Sequence, residues 1–313
     1  MFVLRGIAVS LTFFVLLYCL LSLLVTGTWR SLAWLRATEK TLATLLFSLR
    51  ILPLAVSVVI TFTFVVPSFQ LLEPRAIDEG MGEMPLALGI CALALIACGC
   101  FRVITAQTKT SRVVARWLEG AQPMKSDASD RTVTFRSRRE APPLTLVGVR
   151  RPKVLVSEST VELLSDGELR IALKHELAHM QSRDNLKKLI FRFCPFPGMA
   201  KLESAWSQAA ELAADDAAVS KVDDAVDLAA ALVKLSRLMP VEVAPICTVG
   251  FVTGSISARV ERLLAWDDAG KAPTMRLRAW HAVPPIFMAL FCIVATYRPA
   301  LALTHEVTEW LVR

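Results

Sequence analysis

The sequence predicts an integral membrane protein with four membrane-spanning helices and one α+β domain between the third and the fourth span. Hydrophobic residues make up 54% of the 313 residues and charged residues only 20%, which gives a mean hydropathy of +0.51. The apolar residues are concentrated in long runs, and most charged residues lie in the segment between the last two runs. Intrinsic disorder is excluded, because this much apolar surface offsets the entropy lost on ordering the chain.

Four apolar runs approach or exceed the roughly 20 residues of helix that cross a bilayer. They cover residues 6–27, 51–69, 85–105 and 282–297. The first run is longer than the apolar region of a signal peptide and lacks a small-x-small cleavage site, so we interpret it as an anchor. The fourth run is short and begins with Pro284 and Pro285, residues that suit the start of a helix.

The charges between the runs predict the orientation in the membrane. The loop after the first run is mainly basic, whereas the loop after the second run is mainly acidic. The positive-inside rule therefore places the first loop in the cytoplasm and the N-terminus outside. Residues 1–106 are predicted to form three transmembrane helices, and residues 107–280 a cytoplasmic domain. Residues 281–313 are predicted to form a fourth transmembrane helix and a short external tail.

The composition excludes two further classes of protein. The net charge is +7, but basic and acidic residues are mixed along the cytoplasmic segment without the aromatic and basic pattern of a nucleic-acid interface. We therefore expect the lipid bilayer, and no nucleic acid, as a direct partner. The seven cysteines are odd in number and lie mostly in apolar runs, so they do not form the framework of a disulfide-stabilised secreted domain.

The cytoplasmic segment contains signals for a small sheet followed by helices. Ser165 and Glu168 have the spacing of a capping box, which predicts that a helix begins there and passes through residues 171–180. Short apolar runs between turn-rich stretches predict strands at residues 131–135, 144–147 and 153–156. Helical periodicity predicts further helices at residues 205–220, 222–239 and 256–266.

The capped helix carries the sequence His175-Glu176-Leu177-Ala178-His179. Residues four apart share one face of a helix, so His175 and His179 can offer two imidazoles to one metal ion. Zinc bound in this way lowers the pKa of a bound water, and Glu176 is close enough to accept its proton during attack on a peptide carbonyl. The structural alternative is a pair of helix-face histidines that make only local hydrogen bonds.

A second acidic motif supports the metal site. Catalytic zinc binds three protein ligands and keeps one open position. Glu211 and Asp215 lie four apart on an alanine-rich helix, so Glu211 can be the third ligand and Asp215 can orient a ligand histidine. The alternative is a solvated acidic helix face. Asp184 fits equally well as a second orienting carboxylate and as a residue on the helix surface.

These motifs resemble those of the BlaR/MecR family of membrane zinc metallopeptidases. The resemblance lies in the H-E-L-A-H helix, the following Arg183-Asp184-Asn185, and E-L-A-A-D about thirty residues later, and the layout of the spans is similar. It implies a protein of the bacterial inner membrane whose cytoplasmic domain has a gluzincin-type, zincin-like fold, with zinc as cofactor. The zinc ligands would be His175, His179 and Glu211, with Glu176 as the catalytic glutamate and Asp215 as the orienting acid.

The resemblance also implies the partners and the substrate site. It predicts a signal-transducing protease that hydrolyses a cytoplasmic regulatory protein, such as a transcriptional repressor, or itself. Arg151-Pro152-Lys153-Val154 is similar to the edge strand on which such enzymes bind an extended substrate. The S-x-x-K motif of the penicillin-binding sensor domain is absent from the sequence, so β-lactam sensing by this chain is not expected. We expect Arg259, and Arg183 as second choice, to stabilise the oxyanion of the transition state. The alternative is that both are surface or salt-bridge residues.

Two other functions remain open from the sequence. One is a quality-control or processing protease of the HtpX or CAAX type, although the charged residues between 180 and 210 leave no room there for the extra spans of the HtpX pattern. The other is a catalytically silent signalling scaffold with a structural zinc, for which Cys194 is the nearby candidate fourth ligand.

Overall fold

Helices account for most of the chain in the computed structural model, which describes residues 2–34, 37–73, 82–124, 134–137, 141–238, 248–250, 256–267 and 297–309. The chain divides into two compact units. The first consists of Met1–Ala33, Leu49–Cys98 and Pro273–Arg313, and the second of Trp34–Ser48 and Gly99–Ala272. The second unit therefore includes residues 34–48 and 99–106, which the sequence analysis assigned to the membrane segment.

Long apolar helices dominate the first unit. They are α1 (Phe2–Thr28), α2 (Glu39–Ile60), α3 (Val66–Leu72) and α4 (Glu83–Leu118), with a π-helical turn between α2 and α3. Among the described residues, three helical stretches of 30, 34 and 36 residues are long and apolar enough to cross a membrane, and they contain the first three predicted spans. These helices indicate a membrane protein.

The fourth predicted span, residues 282–297, lies outside the described residues except for Tyr297. That residue begins a helix over residues 297–309, which we call α11. Its side chain contacts the π-helical turn, because the Tyr297 hydroxyl donates a hydrogen bond to the Thr63 carbonyl at 3.3 Å. His305 Nδ1 lies 3.9 Å from Glu73 Oε2, so α11 runs in the same direction as the chain from Thr63 to Glu73.

Within the described ranges, the second unit contains a small sheet and six whole helices, together with the beginning of α2 and the end of α4. The strands are β1 (Gln122–Met124), β2 (Thr134–Ser137), β3 (Leu144–Val147), β4 (Lys153–Ser157) and β5 (Thr248–Gly250), in the order β1-β2-β4-β3-β5. Only the β2–β4 pair among them is parallel. The helices are α5 (Glu158–Leu163), α6 (Asp166–Ser182), α7 (Asp184–Phe193), α8 (Ala200–Ala218), α9 (Val222–Leu238) and α10 (Ile256–Leu264).

Most predicted elements of this unit are confirmed. β3 has the predicted bounds, and β4 and the helices α6, α8, α9 and α10 lie within a few residues of the predicted ranges. Residues 131–133 of the first predicted strand lie outside the described residues. The sequence analysis missed β1, β5, α5 and α7. β1, β5 and α5 are 3, 3 and 6 residues long, which is too short to show a clear periodicity. α7 has 10 residues and an amphipathic pattern, so its signal was available in the sequence.

The prediction of an edge strand at residues 151–154 is wrong. β4 lies inside the sheet, because Val154 pairs with Leu146 of β3 on one side and with Thr134 of β2 on the other. The chain returns from β3 to β4 as an antiparallel pair, and β2 then occupies the remaining edge of β4 in parallel orientation. An extended substrate therefore has no free edge at Val154.

The core of the second unit lies between the sheet and two helices. Leu146 and Val154 of the central strands pack with Ile171 of α6 and with Leu228 and Leu232 of α9, and each of these side chains is at most 1% exposed. Burying a side chain of this size contributes about 1.5–3 kcal/mol to stability. The sheet and α9 thus fix the position of α6, the helix that carries the H-E-L-A-H motif.

Gly99 allows α4 to approach α7 closely within the second unit. A Cβ atom at position 99 would overlap the carbonyl oxygen of Phe193, near the end of α7. Gly99→Ala is therefore expected to destabilise the protein by about 1–3 kcal/mol through overpacking. Gly27→Ala in α1 is the matched control, since a Cβ there meets no atom within 4 Å.

The two alanine variants can be compared by thermal unfolding of the detergent-purified chain, followed by circular dichroism. The melting temperature is expected to fall for Gly99→Ala and to stay at or above the wild-type value for Gly27→Ala, since alanine favours a helix more than glycine does. Equal melting temperatures for all three proteins would contradict the close approach at Gly99.

Candidate metal centre

The N-terminal cap of α6 fixes the start of the motif helix. The Glu168 N–H donates to Ser165 Oγ at 3.3 Å, and the Ser165 N–H donates to Glu168 Oε2 at 2.8 Å, so both halves of the predicted capping box are present. Lys234 of α9 adds an ion pair of 2.7 Å to the same carboxylate. Together these bonds set the rotation of α6, which directs the motif histidines toward α8.

The two motif histidines and Glu211 converge in the interior of the second unit. His175 Nε2 and His179 Nε2 lie 3.1 Å apart, and the Glu211 oxygens lie 3.5 Å and 3.6 Å from these two atoms. All three side chains are at most 2% exposed. Two ligands bound to one zinc ion in tetrahedral geometry are about 3.4 Å apart. This group can therefore hold a metal ion, with one ligand atom from each residue.

A carboxylate lies beside the second ring nitrogen of each histidine. His175 Nδ1 is 3.0 Å from Asp215 Oδ1, and His179 Nδ1 is 2.8 Å from Asp184 Oδ2. A proton held at Nδ1 by a carboxylate leaves the lone pair of Nε2 available for a metal, which is the usual arrangement around ligand histidines. The sequence left the place of Asp184 undecided, and the structure places it against His179, buried to 2% exposure.

A left-handed residue at the end of α6 brings Asp184 back to His179. Arg183 has φ 56° and ψ 40°, and among the described residues it is the one non-glycine residue with a positive φ. This conformation costs a non-glycine residue roughly 1–2 kcal/mol, and the chain retains it next to the site. The Arg183 side chain is exposed, which does not support the second-choice role for it as an oxyanion donor.

Lys187 and Asn185 are two residues of the site region that the sequence analysis assigned no role in the chemistry. Lys187 Nζ lies 2.9 Å from Asp184 Oδ1, and the i,i+3 spacing of this pair on one helix is a signal that was available in the sequence. The Asn185 amide donates to the carbonyls of Leu146 and Gly148, both at 3.1 Å, and so ties α7 to β3. No local pattern predicts that second contact.

Arg259 holds the acidic helix in place and does not face an open position. Its Nε and Nη2 donate to the two oxygens of Asp215 at 2.8 Å and 2.6 Å, and its Nη1 donates to Glu211 Oε2 at 3.0 Å. All three guanidinium nitrogens therefore bind carboxylates of α8. This geometry makes Arg259 a positioning residue for Glu211 and Asp215 and gives no support to the expected oxyanion role.

Glu176 is a buried carboxylate with no strong partner among the described residues. The residue is 0% exposed, and neither carboxylate oxygen makes a hydrogen bond of ordinary length and angle there. Burial raises the pKa of Glu176, while the nearby histidines and the Leu146 N–H act in the opposite direction. A buried polar group without a partner normally binds a water or an ion, so Glu176 fits a polar ligand at this position.

The net charge of the side chains in the site suits a divalent cation. Burial lowers the pKa of His179, but Glu211 and Asp184 overcome this effect and raise it to about 10. Burial raises the pKa of Glu211, but the two histidines outweigh this effect and hold the pKa well below its usual value. With neutral histidines, a cation of charge +2 would balance the charged side chains of the site, of which Lys187 is only partly buried. These are four carboxylates (Glu176, Asp184, Glu211, Asp215) and two cations (Lys187, Arg259).

The remaining candidate ligand lies outside this group. Cys194 is buried, and its thiol donates to the Ile190 carbonyl at 3.3 Å. The metal-binding group found among the described residues of this unit consists of His175, His179 and Glu211 without a thiol. This geometry offers three ligands from two helices and does not close the site with a fourth.

Arg259→Lys is expected to weaken metal binding by about 10- to 100-fold. Lysine cannot donate to both oxygens of Asp215 and also reach Glu211, and loss of outer partners of metal ligands costs this much affinity. Affinity is measured by competition with a chromophoric chelator on the purified chain. Arg262→Lys is the matched control, because Arg262 lies on the same helix and pairs with Asp216 of α8 at 2.6 Å. Equal losses in both variants would contradict the role of Arg259.

Metal affinity is expected to rise with pH between about pH 6 and about pH 8. A His179 pKa of about 10 means that the metal-free site holds a proton there throughout this range, and the metal must displace it. Each displaced proton increases the apparent affinity about tenfold per pH unit, while Glu211 stays ionised. Chelator competition at several pH values, together with proton release on metal addition, measures the slope. A flat profile without proton release would contradict a metal bound at His179.

Comparison with models of known protein families and with curated proteins gives no match for this chain. The functional assignment therefore depends on the chemistry of the site itself. That site consists of two buried imidazoles and one buried carboxylate within ligand distance of one another, a second buried carboxylate with no strong partner among the described residues, and a buried arginine that positions the acidic helix.

Proposed function

We propose that the chain is a membrane-bound zinc endopeptidase that hydrolyses peptide bonds of a cytoplasmic protein. The observation that carries this proposal is the convergence of His175, His179 and Glu211, with the buried carboxylate of Glu176 on the histidine helix. Among the described residues, that carboxylate accepts no hydrogen bond of ordinary length and angle. Two imidazoles and one carboxylate form a donor set typical of catalytic zinc, which leaves a coordination position for water or substrate. The resemblance of the motifs to those of the BlaR/MecR family supports the same assignment.

Zinc, when bound by these three residues, supplies a Lewis acid that polarises the peptide carbonyl and lowers the pKa of a bound water. Glu176 accepts a proton from the attacking water, and its burial, which raises its pKa, makes it a stronger base than an exposed glutamate. As the C–N bond breaks, Glu176 returns the proton to the leaving amine nitrogen. Asp215 and Asp184 hold the two imidazoles in the tautomer that binds metal.

Two features favour this assignment over the alternatives. The H-E-L-A-H helix α6 and the Glu211 helix α8 are separated only by α7 and a short turn, so no span intervenes as in the HtpX pattern. The scaffold with a structural zinc requires a closed site, and Cys194 does not belong to the ligand group. We further propose that the substrate is a regulatory protein, such as a repressor, or the chain itself. That part rests on the family resemblance.

Glu176→Gln is expected to abolish cleavage while leaving the metal in place. The amide keeps the size of the carboxylate but cannot accept the proton, and loss of a general base lowers the rate by about 100- to 10,000-fold. Cells producing the wild-type or the variant chain are compared by proteomics of new N-termini, and the metal content of both purified chains is measured. Glu162→Gln on the exposed face of α5 is the control and is expected to cleave normally.

Three outcomes are informative. A cytoplasmic protein cut by the wild type and Glu162→Gln, but not by Glu176→Gln, supports the peptidase. The same fragments in all three cultures would contradict it. A wild-type chain that binds metal and folds, but changes no cytoplasmic protein, would support the scaffold.

A further inference from the structure

A second group of metal-ligating side chains lies in the first unit, apart from the residues of the proposed peptidase. It consists of Glu73, which directly follows α3, and of His305 and Glu309 on α11. One ligand atom from each residue lies within 4.8 Å of the other two. Arg5 at the beginning of α1 is the charged neighbour of this group.

His305 can offer one ring nitrogen to an ion, and neither of its nitrogens lies at ordinary hydrogen-bond distance from the carboxylate beside it. His305 Nδ1 lies 3.9 Å from Glu73 Oε2, and His305 Nε2 lies 3.6 Å from Glu309 Oε1. Both distances exceed the donor–acceptor distance of about 2.7–3.2 Å that is usual for an N–H···O hydrogen bond. Within the described part of the chain, His305 Nδ1 is also buried without a hydrogen-bond partner. An orphaned imidazole nitrogen facing a carboxylate has the chemistry of a metal ligand.

Packing within the first unit holds these ligands in place. Leu301 and Thr308 of α11 are 7% and 3% exposed, and Phe64 contacts the Tyr297 ring at 5.7 Å between centroids. His305 and Glu309 are four residues apart and therefore share one face of α11. The Glu73 N–H donates to the Phe69 carbonyl at 3.2 Å, which fixes its backbone at the end of α3.

The charge of the group also favours a cation. Arg5 Nη2 lies 3.3 Å from Glu73 Oε1, so the guanidinium contacts the oxygen that faces away from His305. The side chains of Glu73 and His305 are only 11% and 17% exposed. The Glu309 side chain is 45% exposed. With a neutral imidazole, two carboxylates and one guanidinium leave one negative charge, and the low exposure of Glu73 and His305 makes Coulomb attraction for a cation stronger there than in water.

We propose that Glu73, His305 and Glu309 form a binding site for a divalent transition-metal ion, of which zinc best matches the donor set. One imidazole nitrogen and two carboxylate oxygens suit zinc, whereas Ca²⁺ and Mg²⁺ prefer oxygen ligands alone. The bound ion joins α11 to the end of α3. The site is independent of the proposed peptidase activity, because it shares no residue with the centre in the second unit.

The position of the site on the membrane helices indicates from which side the ion would come. Arg5 lies near the start of α1, and the helix rises about 35 Å from there to Thr28, roughly the thickness of the hydrocarbon core. The group therefore lies at the end of α1 opposite the basic loop after Thr28. In the orientation proposed from the positive-inside rule, this end faces outside. The ligand is then an extracytoplasmic metal ion.

The test is a metal titration of the full chain, purified in detergent and freed of metal with a chelator. Zn²⁺ is added, and bound equivalents are counted by elemental analysis and chelator competition. The wild type is expected to bind two equivalents. His305→Ala and Glu73→Gln are expected to bind one equivalent tightly and to weaken the second by more than about 100-fold, because a direct ligand matters more than an outer partner.

Two further variants make the outcome decisive. Glu306→Gln, next to His305 on α11 and outside the ligand group, is expected to keep both equivalents. Glu211→Gln is expected to weaken only the other site, so each equivalent is assigned separately and the equivalent that remains in each variant reports an intact fold. A wild type that binds one equivalent, or a second equivalent that survives both His305→Ala and Glu73→Gln, would overturn the proposal.

Discussion

The interior of the second unit is organised by the need to compensate buried carboxylates. Glu211 and Asp215 are almost completely removed from water, and an ionised group in that setting is unstable without a counter-charge. Arg259 of α10 and the motif histidines of α6 lie against Glu211 and Asp215, and Lys187 of α7 pairs with Asp184. Because these cations come from separate helices, α6, α7, α8 and α10 each depend on the others for their place.

Local signals explain the part of this arrangement that could be predicted from sequence. The capping box and the two imidazoles depend on residues three or four apart on one helix, and the partner carboxylates also lie four apart. Such spacings can be recognised directly in the amino-acid sequence. The contact of Arg259 with Asp215 joins residues 44 positions apart, and nothing in either neighbourhood marks one as the partner of the other. The same argument covers the Asn185 contacts with β3.

The membrane helices show a different limit of sequence reasoning. Hydropathy located the apolar part of the first three helices, but α4 continues to Leu118, well beyond the predicted end of its apolar run at residue 105. Hydropathy measures transfer to lipid, whereas a helix ends where its backbone hydrogen bonds can no longer continue.

The sheet shows a similar limit. The pattern at residues 153–156 identified a strand but not its neighbours, and β2 occupies the edge of β4 that the sequence left open.

The left-handed turn at Arg183 makes the spacing between His179 and Asp184 inflexible. Adding or removing one residue in the last turn of α6, between His179 and Arg183, would rotate the chain that follows by about 100° around the α6 axis, since an α-helix has about 3.6 residues per turn. Asp184, Lys187 and Asn185 would then leave His179 and β3 together. Point substitutions in this stretch are tolerable where the side chain is exposed and the new residue adopts the local backbone, which at Arg183 excludes proline and disfavours β-branched residues. Insertions and deletions are not, so the length of this connection is under stronger constraint than its composition.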